Sequence, residues 1–174
     1  MKKLGLFAFL LLAWLLILAS SFFSQNQAQA DSITVWPDQL KPLHSGDVYY
    51  QSVDYVGCST SDNNRRCEFF MPVTLLEGHC IAGVTYFHLG HGVGADSSII
   101  LHSHKVGEKF QRSVAYGSST DDSGEVFTVD APITGNPMVQ KGYRYFIEIS
   151  VNPSAFFLGA KIYYFECSSP APGK

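Results

Sequence analysis

The sequence predicts an all-β fold, an antiparallel β-sandwich or jelly roll of eight or nine strands. Three observations predict it. Apolar residues nowhere recur at i, i+3, i+4, i+7 over three turns, so no amphipathic helix is expected. β-Branched and aromatic runs recur every ten to fifteen residues. Between them stand Gly, Pro, Asn and Asp where turns are needed, at Glu77-Gly78, 90–94, 121–124, Gly135-Asn136-Pro137 and Asn152-Pro153. A parallel sheet would require crossover helices, and the chain has none to offer.

The expected strands, in order, are 33–36, 48–56, 67–74, 81–89, 97–104, 109–116, 125–130, 143–151 and 158–166. The first four are rich in Val, Ile, Tyr and Phe, the residues that suit a pleated half-buried surface. Alternation is clearest in 143–151. Tyr143, Tyr145, Ile147 and Ile149 share one face, and Arg144, Phe146, Glu148 and Ser150 the other. The last strand sets Ile162, Tyr164 and Glu166 against Lys161, Tyr163 and Phe165. It is apolar on both faces, which predicts a central strand.

The first thirty residues read as a segment outside the fold. Met1-Lys2-Lys3 is followed by an apolar stretch, 4–19, and then by small polar residues ending Ala28-Gln29-Ala30. This is the layout of a secretory signal peptide with an A-x-A cleavage site. The alternative is an uncleaved N-terminal anchor, for which 16 apolar residues are short against the ~20 of a membrane helix. Cleavage leaves 31–174 as a single β-sandwich domain with a flexible tail at 168–174. With 12 basic residues less two lysines, against 15 acids, the mature charge is −5. That charge offers no footprint for nucleic acid and no electrostatic pull toward anionic membranes. The expected location is secreted or periplasmic.

All four cysteines lie after the leader. An even count in an exported chain predicts two disulfides, with three connectivities open. We favour Cys58–Cys67, which ties the polar loop 59–66, and Cys80–Cys167, which joins the start of one strand to the end of the last. A zinc knuckle needs closer cysteine spacing.

From Trp36 the chain runs through Pro42, Tyr49-Tyr50 and Gly57-Cys58 to Pro72-Val73-Thr74-Leu75-Leu76-Glu77-Gly78. Ile81, Asp96 and Leu101 follow, then 126–130, Tyr143-Arg144-Tyr145 and Leu158-Gly159-Ala160-Lys161-Ile162. This order of features resembles a loose group of exported bacterial single-domain β-sandwich proteins. The resemblance implies the fold and export, and it puts no catalytic residue on any position.

Histidine is the unusual titratable content. His88, His91, His102 and His104 fall within seventeen residues. His102 and His104 are two apart on one expected strand, so they share a face. If 81–89 and 97–104 pair as a hairpin, a suitable register adds His88, and the cluster would take Zn, Cu or Ni. The competing reading leaves these histidines facing solvent. Asp121, Asp122 and Glu125 offer oxygen ligands for Ca, or equally a solvated turn. No other cofactor is expected.

Catalysis has little support. There is no G-x-S-x-G elbow, no H-E-x-x-H and no phosphate-cradling glycine loop. Glu68, Glu148 and Glu166 stand on expected strands with nothing to pair them, and read as outward charges. Tyr49, Tyr50, Tyr55, Tyr86, Tyr163 and Tyr164 are either sandwich packing with hydroxyls at the rim or an exposed platform for sugars. The sequence therefore predicts an exported, non-enzymatic module. Its expected partners are a surface or extracellular polysaccharide, a protein, or a second copy of itself. The alternatives are an exported metal-binding protein built on the histidines and a small secreted hydrolase.

Overall fold

The computed structural model describes residues 31–44, 46–59, 65–92, 94–120 and 123–167. Residues 1–30, Asp121, Asp122 and 168–174 lie outside them, and with them the expected leader, two of the calcium candidates and the expected tail.

The chain is an antiparallel β-sandwich. Its strands are β1 (Asp31–Val35), β2 (Lys41–Pro42), β3 (Tyr49–Gln51), β4 (Val56–Cys58), β5 (Cys67–Val73) and β6 (His79–His91). They continue with β7 (Ser97–Lys105), β8 (Arg112–Ser119), β9 (Ser123–Ala131), β10 (Tyr143–Val151) and β11 (Ala155–Glu166). One sheet has the order β3-β4-β11-β6-β9, with β1 also on β11; the other has the order β2-β5-β10-β7-β8.

The strand number exceeds eight or nine for local reasons. The expected strand 48–56 breaks into β3 and β4 at a turn. There the Ser52 hydroxyl accepts the N–H groups of Asp54 and Tyr55, and the Ser52 N–H donates to the Tyr55 carbonyl. β2 adds a two-residue pairing of Lys41 and Pro42 with Phe70 and Phe69.

β11 is central, as its two apolar faces require, with β6 on one side and β1 and β4 on the other. In β10, Tyr145, Ile147 and Ile149 point inward. They meet Phe69, Ile99 and Leu101 of their own sheet and Val84, Tyr86, Phe157 and Ile162 of the other in one buried cluster. At Gly57 a Cβ would stand 2.7 Å from the Phe156 ring, so glycine leaves room for that ring against β4.

The cysteines pair as Cys58–Cys67 and Cys80–Cys167, with Cα atoms 5.3 and 5.2 Å apart. The first bridge joins β4 to β5 and so links the two sheets. The second fastens the start of β6 to the residue after β11 within one sheet. Among the described residues no helix is long and apolar enough to cross a membrane.

A polar group of three also bridges the sheets. The Ser97 hydroxyl of β7 lies 2.6 Å from His88 Nδ1 and 3.3 Å from the Tyr86 hydroxyl of β6, which donates to the Ser97 carbonyl. Burial pushes the Tyr86 phenol up to about 12 from its ordinary 10, against the opposing Ser97 hydrogen bond. The unfolded chain ionises first, so this contribution to stability is intact below pH 10 and is lost as pH rises through 12. Two units correspond to about 2–3 kcal/mol. Denaturant unfolding at pH 9 and pH 11.5 should show that alkaline loss in the native protein and much less of it in Tyr86→Phe.

Candidate functional site

The outer face of the second sheet is built by the residues of β10 that alternate away from the core. Arg144, Phe146 and Glu148 stand on this face, successive Cα atoms about 6.7 Å apart along the strand. The register brings Phe70 of β5 opposite Glu148 and Pro72 opposite Phe146. On the other side, β7 places Ile100 opposite Glu148 and His102 opposite Phe146. Leu43 is drawn in beside β5 by its N–H bond to the Glu68 carbonyl, 2.7 Å.

Of these, Leu43, Phe70, Pro72, Arg144, Phe146 and Glu148 line a groove of about 370 Å³, together with Gln111 and Tyr145. Phe70, Pro72 and Phe146 supply its apolar lining; Arg144, Gln111 and Glu148 supply its polar groups. Arg144 makes no ion pair among the described residues, so its donors are available. A second cavity of about 460 Å³ shares Pro72, Arg144 and Tyr145 with the first and runs on toward Glu77 and Lys141. Arg144 therefore borders both cavities. An apolar lining with a few convergent polar groups is the usual make-up of a small-ligand site.

Glu148 is held from behind. His102 Nε2 lies 3.0 Å from Glu148 Oε2, and the imidazole stacks on the Phe146 ring with centroids 4.8 Å apart and planes at 22°. His102 is only 6% exposed, and its Nδ1 has no hydrogen-bond partner. Burial pulls His102 below the ordinary histidine value, while the Glu148 charge and hydrogen bond pull the other way. The neutral ring then donates Nε2–H to the carboxylate.

The structure separates the four clustered histidines. β6 and β7 do not form a hairpin: β6 pairs with β11 and β9, β7 with β10 and β8. The short connection between them crosses from one sheet to the other. His88 is accordingly enclosed between the sheets, and His91 ends β6 exposed. His102 and His104 do share the outer face of β7, but His104 Nε2 is engaged by the Glu108 carbonyl at 2.8 Å. Among the described residues no group of three His, Cys, Asp or Glu is placed to hold a metal ion. Of the three calcium candidates, Glu125 lies exposed on β9, and Asp121 and Asp122 are outside the described residues.

Glu148 points outward as expected, yet it is not a free surface charge. β10 is an interior strand, and the carboxylate is tied to His102. Glu68 likewise has a partner, His44, at 3.0 Å. The tyrosines divide. Tyr86 is core, and Tyr49 packs edge-on against Phe69. Tyr50, 56% exposed, begins a row across the first sheet through Gly57, Phe156, Leu89 and Val126, with Tyr55 edge-on to Phe156. Sequence reasoning missed the groove residues Phe70, Gln111 and Arg144. The available signal was Phe146, a large aromatic on the outward face of an otherwise well-alternating strand.

No protein-family model and no curated protein sequence matches the chain. Among solved structures, it is similar to the N-terminal endo-1,4-β-D-xylanase 10B of Clostridium thermocellum, its CBM22-1 and GH10 modules complexed with xylohexaose. That match has a TM-score of 0.51 at 12% identity and covers 84% of this chain but only 30% of the xylanase chain. Lesser likenesses are to TmCBM61 in complex with β-1,4-galactotriose (TM-score 0.32, 15% identity, 82% and 91% covered) and to Eiger TNF from S. frugiperda (0.40, 10%, 82% and 90%). The likeness to the xylanase chain is one of fold: the chain is an antiparallel β-sandwich.

Proposed function

We propose that this chain is an exported, non-enzymatic carbohydrate-binding module that holds a glycan in the cleft along β10. The observation that carries the reading is the groove itself. A pyranose has apolar C–H faces and a rim of hydroxyls. Phe70 and Phe146 suit the faces. Arg144, Gln111 and Glu148 supply donors and acceptors for the rim. The continuation past Arg144 suits an extended chain rather than one terminal sugar. Support also comes from the shared fold, since the matched xylanase structure carries xylohexaose. The reading of 1–30 as a cleaved leader and the two disulfides fit an oxidising location outside the cytoplasm.

The test is native affinity electrophoresis of residues 31–174 in gels containing xylan, galactan or other soluble neutral polysaccharides. At least one should retard the protein, and Phe70→Ala/Phe146→Ala should run as if the gel held no polysaccharide. Unretarded migration across the panel would contradict the proposal.

A further inference from the structure

We propose that His102 is the positioning residue of this groove: in its neutral form it holds Glu148 for ligand hydroxyls, so glycan affinity falls on acidification. The inference rests on the carbohydrate reading above and deepens it. Three features of the geometry carry it. His102 lies outside the groove lining, behind two of its residues, bonded to Glu148 at 3.0 Å and stacked on Phe146 at 4.8 Å. Only Oε2 of Glu148 is used by that bond, which leaves Oε1 for a ligand. The Nδ1 atom is buried and has no acceptor to receive a second proton.

The surroundings fix the sign. β10 contributes Glu148, bonded to the imidazole, and Arg144, which the register sets opposite His104. β8, paired with His102 at Ser113, contributes Arg112, which is already ion-paired with Glu108 at 3.3 Å. Lys105 also reaches Glu108, and His104 of the same strand is bonded to the Glu108 carbonyl. Glu148 is thus the carboxylate in contact with the ring. Protonation would put a charge in a buried site and an N–H on Nδ1 with nothing to accept it, and would draw the Glu148 charge inward. A sugar covering the groove removes more water and opposes that protonation further. Binding then releases a proton at acid pH, and by reciprocity acid weakens binding.

The test measures xylohexaose affinity by calorimetry from pH 7.5 to 5.0, with circular dichroism confirming the fold at each pH. The native protein should lose about fivefold or more across this range. His102→Gln, which keeps a neutral donor, should bind at pH 7.5 and show a flat profile. Glu148→Gln gives the same flat profile from the other side of the bond, and carries the test should His102→Gln fail to fold. Native affinity that does not change with pH overturns the role of His102 alone. No binding at any pH of xylohexaose, or of an oligosaccharide from any other polysaccharide of the panel, overturns this proposal together with the reading it rests on.

Discussion

Cys80→Ala/Cys167→Ala should lower the stability of the oxidised protein by about 4–5 kcal/mol, the largest single loss expected here. The bridge closes a loop with a sequence separation of 87, and long loops have the most unfolded-state entropy to remove. For a domain of this size that corresponds to a fall in Tm of about 10–20 °C by thermal unfolding. The separation of 9 at Cys58–Cys67 gives only about 2.7 kcal/mol on the same reasoning. The order of the two variants is therefore part of the prediction. A loss under about 1 kcal/mol for the long bridge would mean that the pairing of β6 with β11 already restrains the unfolded chain.

Phe157→Ala should cost about 3–5 kcal/mol in urea unfolding. Phe157 is fully buried on β11 and stacks with Tyr86 at 6.5 Å, where its removal leaves a cavity between the sheets. Its neighbour Phe156 faces outward over Gly57, so Phe156→Ala should cost far less. Phe157 belongs to the first sheet and the groove to the second, so Phe157→Ala, where folded, should bind glycan as the native protein does. Equal losses for the two phenylalanines would contradict the register of β11.

What the sequence could say about the fold was local. The period-two pattern assigned the side chains of 143–150 to their faces of β10, and the double apolar face of 158–166 marked the central strand. The break of 48–56 was harder to read, because it depends on one serine hydroxyl taking two backbone N–H groups. Which sheet a strand joins is not a local property. β6 and β7 are neighbours in sequence with a short connection, yet β6 is recruited by β11 and β7 by β10, partners far along the chain. That recruitment dispersed the histidine cluster. It also made the groove, since Phe70, Phe146 and His102 meet only when β5, β10 and β7 are aligned in register. Phe146 on the outward face was legible; the residues beside it were not.

The most direct test of the account is a calorimetric titration of a polysaccharide-derived oligosaccharide into three proteins: native, Phe146→Ala and Tyr50→Ala. The first substitution removes the aromatic ring from the groove. The second removes the most exposed ring of the opposite sheet's aromatic row. Truncating an aromatic at the centre of a site should weaken binding by at least about tenfold. The account predicts that loss for Phe146→Ala and native affinity for Tyr50→Ala. Binding that survives Phe146→Ala and disappears in Tyr50→Ala would move the glycan site to the first sheet and contradict the groove.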